Sequence, residues 1–392
     1  MTPETWKTIE DLVCLLKCSL QGEMPTEKLI QTIDLDQMYH HAKRQSLAAL
    51  VSLSLEAYWS EHPVDIQIKI TWKEEREKSI RKTVLLDVER KKLFDWFERE
   101  GIWYMPLKGV ILKKYYPAYG IRQMADNDIL FDSTYAETVR NWFGDRGYTV
   151  EAYGKGNHDC YLKNPIYNFE MHRALFQDTN EIWYEYYKDV KSRLIKDEGN
   201  SCGYHFSDED FYVYFITHAS KHFQGAGTGI RQLIDLYLYI DGNQDLDWGY
   251  VQKELHKLGI AENETMMRQL AFKLFSKDGK GFSGLTTEEE EYLEILFGAG
   301  TYGTAQQQVK NKLDKLLSEG KYRDLKSVKR KYIWERFFPK PEIYKNYYPF
   351  FYNHKWARPV LLFYRILHGC LVNRKKIMKE WRTLRGITID RI

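Results

Sequence analysis

The sequence predicts an α+β fold in which a small mixed sheet with its helices lies between helical N- and C-terminal regions. Residues 1–100 have apolar spacing close to 3.6, whereas residues 101–176 contain short β-prone runs separated by turn signals. Helical spacing returns after Ser207. We therefore expect a helical region at 1–100, a sheet-containing unit at 101–200 and a helical region with a basic tail at 201–392.

The N-terminal region contains three amphipathic segments. They cover residues 11–20, 35–59 and 66–100, and the third has no internal Pro or Gly. Because Pro and Gly are the residues that most disfavour a helix interior, the third segment is predicted to be one long helix. The pattern changes at Gly101.

The sheet-containing unit begins as strand, turn and helix. A β-prone run at 102–105 ends at Pro106, and a helix is predicted over 110–116, just after Gly109. The next elements are a strand at 128–131, a helix at 133–146 capped by Ser133 and stopped by Gly147, and strands at 148–153, 158–163 and 167–174. The Asn164-Pro165 pair between the last two strands is a turn signal.

The C-terminal region is predicted to be helical throughout. Ser207, with Asp210 three residues later, approximates a capping box for its first helix. The helices are expected at 208–223, 228–241, 247–258, 263–275 and 287–296. Residues 358–384 are predicted to form one or two helices that pack on a core and expose a basic face, with binding to a membrane surface as the alternative.

Composition and charge exclude several classes of protein. Apolar residues make up 43% of the chain and charged residues 29%, which is typical of a folded soluble protein. No apolar stretch reaches the length of a bilayer span, and the N-terminus lacks the basic lead of a secretory signal. The five cysteines include no CxxC pair, so we expect them to be reduced and buried and the protein to be cytoplasmic.

The basic charge is concentrated at the C-terminus. The net charge is +3, yet residues 321–392 hold 19 Lys and Arg against 5 Asp and Glu. This tail is either a solvated helical face or a surface for a polyanion such as RNA or anionic lipid.

Three carboxylates are the strongest candidates for chemistry. Asp126 and Asp128 are two residues apart at the start of a strand, so both side chains point to one face. Glu170 and His172 alternate with Phe169 and Met171, which places the polar pair opposite the apolar pair. If the two strands are neighbours, Asp126, Asp128 and Glu170 converge into an oxygen-rich site that Mg²⁺ prefers, with substrate phosphates completing its ligands.

A second set of residues is suited to bind phosphate. Lys108 and Gly109 immediately precede a predicted helix, where backbone donors and the helix dipole favour anions. Gly109 would allow close approach, and Lys108 would add a positive charge. Arg122, four residues before Asp126, is predicted to supply another phosphate contact.

These motifs together resemble a known family. Their order is Leu107-Lys108-Gly109, Leu112, Tyr116-Pro117, Arg122, Asp126-Asn127-Asp128-Ile129-Leu130 and Glu170-Met171-His172, followed by His218, His222, Arg231 and Asp235 in the helical part. The set resembles the uncharacterised nucleotidyltransferase family of the DNA polymerase β superfamily, over roughly residues 30–240. Lys-Gly replaces the Gly-Ser of the wider superfamily, and Gly109 lies 17 positions before Asp126, a longer interval than is usual there; both features fit the narrower family.

The resemblance implies a polymerase β type nucleotidyltransferase unit. Asp126, Asp128 and Glu170 would be the catalytic residues and would hold two Mg²⁺ (or Mn²⁺) ions, with an NTP such as ATP as co-substrate. In such enzymes an acceptor hydroxyl attacks the α-phosphorus and pyrophosphate leaves. Lys108 and Gly109 would stand where the superfamily holds the nucleotide phosphates.

The histidines have further interpretations. His218 and His222 share a helical face at a spacing also used by zinc ligands, and His172 as a third ligand would make a zinc hydrolase. Four residues have an alternative interpretation as accessory contacts to the nucleotide or acceptor, or as structural residues: His172, His218, His222 and Arg231.

The acceptor is not identified by the sequence. It is a small molecule, a protein or RNA, and no membrane span is expected. Two other function classes remain: a catalytically silent nucleotide-binding or scaffold protein, which would lack convergence of Glu170 with the aspartates, and an RNA-directed binder using the basic tail, whose affinity would fall steeply with salt.

Overall fold

The computed structural model describes residues 2–318, 324–338, 344, 348–371 and 374–387. The chain forms two compact units, one of Met1–His218 with Ile230–Phe297 and one of Ala219–Gly229 with Gly298–Ile392. The division into three regions made from the sequence stays a prediction. Parts of the basic tail, at 321–323, 339–343, 345–347, 372–373 and 388–392, lie outside the described residues.

The α+β fold is confirmed: most of the described residues are helical, and one small mixed sheet accompanies them. The helices are α1 (Pro3–Gln21), α2 (Glu27–Thr32), α3 (Leu35–Arg44), α4 (Ala48–Glu61), α5 (Ile66–Glu100), α6 (Gly109–Leu112), α7 (Ala136–Asp145), α8 (Glu181–Tyr187), α9 (Asp208–Gln224), α10 (Arg231–Asp241), α11 (Trp248–Lys257), α12 (Ala261–Phe275), α13 (Thr287–Ala299), α14 (Ala305–Ser318), α15 (Leu325–Phe337), α16 (Pro349–Asn353), α17 (Arg358–Leu371) and α18 (Arg374–Gly386). Ser207 caps α9 as predicted, because its Oγ accepts a hydrogen bond from the Asp210 amide at 3.1 Å.

Five strands form the mixed sheet. They are β1 (Tyr104–Pro106), β2 (Asn127–Phe131), β3 (Thr149–Ala152), β4 (His158–Lys163) and β5 (Tyr167–His172), in the spatial order β1-β2-β5-β4-β3. β2 and β5 are parallel, whereas the other neighbouring pairs are antiparallel. Two further strands, β6 (Ile195–Lys196) and β7 (Tyr204–His205), pair separately.

The two faces of the sheet have different chemistry. Ile129, Phe131, Phe169 and Met171 are buried in one aromatic-rich core with side chains of α5 and α7, including the stacked rings of Trp96 and Trp142. Because side chains alternate along a strand, Asp128, Glu170 and His172 point to the opposite face. The alternation predicted for residues 169–172 is confirmed, and the polar face is the one that carries the candidate site.

The second unit has its own small core. Its members come from α14, α15 and α18 and are Val309, Leu313, Leu316, Val328, Tyr332 and Leu384. Two helices, α17 and α18, cover the segment that was predicted to be helical at 358–384. Of these, α18 packs on a core as expected.

The predicted helix at 35–59 is wrong as a single element. It is two helices, α3 and α4, separated by a turn in which Ser46 has φ of 52°. A residue with positive φ cannot continue a right-handed helix. Apolar spacing continues through this turn, so the break left no signal in the pattern.

Two other boundaries differ for local reasons. The helix predicted at 110–116 is only the four-residue α6, continued by a 3₁₀ turn at Lys113–Tyr115. Tyr116 is extended with ψ of 152° because the residue before a proline avoids the α region. The predicted Ser133 cap is also wrong: Asp132 accepts the hydrogen bond from the Thr134 amide, and α7 begins at Ala136.

The cysteines are less buried than predicted. Cys14, Cys18, Cys160 and Cys202 are free thiols, as expected, but Cys14 is exposed and only Cys202 is buried. The side chain of Cys370 lies outside the described residues. No helix within the described ranges has the length and apolar character needed to cross a membrane.

Candidate active site

The register of β2 against β5 brings the predicted carboxylates together. Asp128 is the direct partner of Glu170 across the parallel pair, and Leu130 is the partner of His172. Asp126 immediately precedes β2, two residues before Asp128, and its carboxyl group is close enough for its charge to interact with those of Asp128 and Glu170. The convergence that the sequence analysis made conditional on neighbouring strands is therefore present.

Asp128 is the most strongly held of the three. One of its carboxylate oxygens, Oδ1, lies 2.7 Å from Nζ of Lys108 and 2.9 Å from Nε2 of His172. Burial alone would raise the pKa of Asp128, but the Lys108 ammonium and the His172 hydrogen bond hold it well below its usual value. Asp128 is therefore ionised and has two partners.

Asp126 and Glu170 lie in the opposite electrostatic situation. Burial, followed by repulsion from the Asp128 charge, raises the pKa of both carboxyl groups. The Lys108 charge offsets this rise in part, and at Asp126 so does the charge of Arg231. The three carboxyl groups thus repel one another, a repulsion that a bound cation would relieve.

Lys108 is held in an unusual backbone conformation. Its φ is 47° and its ψ is −114°, a region that glycine adopts far more readily than lysine. The neighbouring Leu107 amide donates a hydrogen bond to the Asp128 carbonyl at 2.9 Å, which fixes the turn against β2. Despite the opposing effect of burial, the Asp128 charge raises the pKa of Lys108, so the ammonium is retained.

The strain at Lys108 leads to a stability prediction. Lys108→Gly and Lys108→Ala both delete the ammonium, but only glycine relieves the positive φ. We expect the free energy of unfolding of Lys108→Gly to exceed that of Lys108→Ala by about 1 kcal/mol. At most positions the order is the reverse, because glycine loses more conformational entropy on folding than alanine does. Urea unfolding of the two variants measures the difference, and an alanine variant of equal or higher stability would contradict the strain.

Packing of neighbouring side chains requires a glycine at position 109, independently of any bound ligand. A Cβ at this position would lie 2.6 Å from Nη1 of Arg122 and 3.0 Å from Cε of Met124. Arg122 is itself fixed, because its Nε and Nη2 bind the two carboxylate oxygens of Asp235 at 2.8 and 2.7 Å. The glycine therefore admits the guanidinium behind the Lys108–Gly109 turn.

Arg122 and Asp235 form a buried ion pair that the sequence analysis did not anticipate. Tyr116 adds a third contact, since its hydroxyl donates to Oδ1 of Asp235 at 2.8 Å. All three guanidinium nitrogens thus have protein acceptors, since Nη1, which faces Gly109, donates to the Met124 sulfur at 3.4 Å. The structure gives Arg122 a supporting role behind the turn, and its phosphate contact stays a prediction.

The predicted accessory residues are placed as follows. His172 is buried at the end of β5, and burial together with the Lys108 charge lowers its pKa to about 3, so the ring is neutral. Arg231 begins α10, and its Nη1 donates to the Gln123 carbonyl at 2.9 Å, close enough for its charge to act on Asp126. His218 and His222 lie on α9, where His218 packs near the Tyr214 ring.

His158 belongs to the site although the sequence analysis did not select it. It pairs with His172 across β4 and β5, the two rings are 5.0 Å apart, and its Nε2 lies 3.7 Å from Oε2 of Glu170. The sequence contained a signal for this pairing. If the turn at Asn164-Pro165 pairs Lys163 with Tyr167, counting back along both strands places His158 opposite His172. His158, Glu170 and His172 form a group of possible metal ligands. This group shares only His172 with the zinc set considered from the sequence, so it does not support that set.

Tyr214 of α9 is a second residue missed by the sequence analysis. Its side chain is fully buried, and its hydroxyl has no hydrogen-bond partner among the described residues. Burial raises its pKa, and the charges of Lys108, Asp128 and Glu170 also act on it, so the phenol lies within range of the charges of the site. The helix α9 contains several aromatic residues, and nothing in the sequence distinguishes Tyr214 from the others as a residue of the site.

Comparison with known protein families identifies the family of this chain. The sequence model of a protein family described as "Uncharacterised nucleotidyltransferase" matches residues 31–276, a range that includes the sheet, the carboxylates and helices α9 to α12. No curated protein and no solved structure matches the chain.

Proposed function

Because this chain belongs to the uncharacterised nucleotidyltransferase family, we propose that it moves a nucleoside monophosphate from an NTP to an acceptor hydroxyl. The new bond joins the acceptor oxygen to the α-phosphorus, and the bond to the β-phosphate oxygen breaks to release pyrophosphate. The acceptor is a small molecule, a protein or RNA.

The observation that carries this proposal is the pairing of Asp128 with Glu170 across β2 and β5. It brings a third carboxylate to the Asp126–Asp128 pair, which a silent nucleotide-binding protein would not need. For this reason we favour an enzyme over the scaffold alternative.

The donor set fits the divalent cations that this chemistry uses. Carboxylate oxygens are the ligands that Mg²⁺ and Mn²⁺ prefer. The pKa values of Asp126 and Glu170 are raised by burial and then by the Asp128 charge, and a cation would relieve the second of these effects. Asp126, Asp128 and Glu170 would hold the metal. When bound, Mg²⁺ or Mn²⁺ would activate the acceptor oxygen and offset charge on the phosphates.

The chain's own residues have separate tasks in this proposal. Lys108 neutralises Asp128 in the absence of other cations and would turn its ammonium to the nucleotide phosphates when they bind. Arg122, held by Asp235, supports the Lys108–Gly109 turn from behind. His172 holds Asp128 in place through its Nε2, so the carboxylate keeps its orientation.

A labelling experiment distinguishes this reaction from other phosphate chemistry. The protein is incubated with Mg²⁺, fractionated cell extract as the source of acceptors, and NTP labelled on either the α- or the γ-phosphorus. We expect the α-label and not the γ-label to be transferred. Transfer of the γ-label alone would indicate phosphoryl transfer, and transfer of neither label across all four NTPs would leave the silent nucleotide-binding protein as the better account.

A further inference from the structure

Three potential metal ligands of mixed type meet on the polar face of the sheet. His158 of β4 and Glu170 and His172 of β5 offer ligand atoms that all lie within 4.8 Å of one another. Nε2 of each imidazole is 3.7 Å from Oε2 of Glu170. The carboxylate therefore lies between two nitrogen donors.

The backbone fixes this arrangement. His158 and His172 are direct partners in the antiparallel ladder, and Glu170 is two residues from His172 on the same strand, so all three side chains share one face. The Asn157 amide nitrogen lies 3.4 Å from Nδ1 of His172 and is itself held by two backbone carbonyls. Packing against this fixed amide limits rotation of the His172 ring.

The cluster is accessible from solvent on one side. The side chains of His158 and Glu170 are 30% and 24% exposed, whereas the His172 side chain is 3% exposed and forms the floor. Nε2 of His172 donates a hydrogen bond to Oδ1 of Asp128 at 2.9 Å, so a bound ion would replace this proton and would have Asp128 as a neighbouring oxygen donor. An ion entering from the solvent side would meet nitrogen and oxygen donors together.

We propose that His158, Glu170 and His172 bind a divalent transition-metal ion, such as Mn²⁺, Co²⁺ or Zn²⁺, in preference to Mg²⁺. Imidazole suits borderline ions such as Zn²⁺. Mn²⁺ prefers oxygen ligands but takes imidazole more readily than Mg²⁺ does, because Mg²⁺ prefers all-oxygen ligands and keeps several waters. This inference rests on the proposed function, because Glu170 belongs to both sites. It adds that one of the ions at this centre has nitrogen ligands.

The test uses the full chain and the metal alone. Mn²⁺ and Mg²⁺ are titrated calorimetrically without nucleotide, and pulsed electron paramagnetic resonance of the Mn²⁺ complex detects coupling to imidazole nitrogen. We expect Mn²⁺ to bind at least about tenfold more tightly than Mg²⁺ and to show nitrogen coupling.

Substitution of His158 supplies the decisive comparison. His158→Ala is expected to weaken Mn²⁺ binding by about tenfold or more, to reduce the nitrogen coupling and to leave Mg²⁺ binding within about threefold, with circular dichroism confirming the fold. His158→Asn, which keeps a polar side chain but no imidazole, should behave alike. His205→Ala is the matched control, since it removes a histidine that pairs with a carboxylate, Asp197, away from this cluster.

The outcomes separate this inference from the proposed function. Absence of nitrogen coupling, or equal binding of Mn²⁺ and Mg²⁺, overturns the inference even when the α-label is transferred. Nitrogen-coupled Mn²⁺ that depends on His158 supports it even when no label is transferred, in which case the proposed function alone fails.

Discussion

Asp128→Asn is expected to lower α-label transfer by about 10²- to 10³-fold or more while the fold is kept. The amide has nearly the shape of the carboxylate but lacks the charge that would hold a divalent cation. It also leaves the Lys108 ammonium without the negative charge that lies 2.7 Å away in the wild type, so a moderate loss of stability accompanies the loss of activity. The rate is measured with saturating Mg²⁺ and NTP, and circular dichroism verifies the fold.

Asp132→Asn is the matched control for this substitution. Asp132 follows the other end of β2 and caps a 3₁₀ turn through its Oδ1. Asn caps about as well as Asp, so neither stability nor transfer should change appreciably. Equal transfer rates for wild type and Asp128→Asn would remove the proposed mechanism.

Asp235→Ala is expected to cause a large loss of stability. The substitution leaves the buried Arg122 guanidinium without a counter-charge and the Tyr116 hydroxyl without its acceptor. Breaking a buried pair by removing one partner costs about 3–5 kcal/mol. Urea unfolding, followed by tryptophan fluorescence, measures the shift in the unfolding midpoint.

Two comparisons make the origin of that loss clear. Asp95→Ala removes the acidic partner of Lys91 in an exposed pair on α5 and should cost at most about 0.5 kcal/mol. The double variant Arg122→Met with Asp235→Leu removes both buried charges and should recover much of the stability. If Asp235→Ala were no more destabilising than Asp95→Ala, the pair would not support the turn.

The fold was predictable where the residue pattern and the local chain geometry agree. α5 has the bounds expected from an uninterrupted segment ending before Gly101, whose φ of 70° stops the helix. The polar face of β5 followed from simple alternation around Phe169 and Met171. These features depend on neighbours within a few residues.

Other features of the site depend on contacts between distant parts of the chain. The Arg122–Asp235 pair joins residues 113 positions apart, and nothing near either residue identifies the other. Tyr214 reaches the site because of how α9 packs in its unit, and its hydroxyl differs from that of other buried tyrosines only by its surroundings. The unusual φ of Lys108 is likewise set by packing against β2, since lysine itself disfavours it.

Binding of a nonhydrolysable ATP or GTP analogue, measured calorimetrically with and without Mg²⁺, tests the central claim most directly. It requires no acceptor, and it compares wild type with the Asp126→Ala/Asp128→Ala double variant and with Asp132→Asn. The account predicts Mg²⁺-dependent binding that is lost in the double variant and kept in Asp132→Asn. Absence of binding to either analogue, or binding that persists in the double variant, would contradict a nucleotide site at these carboxylates.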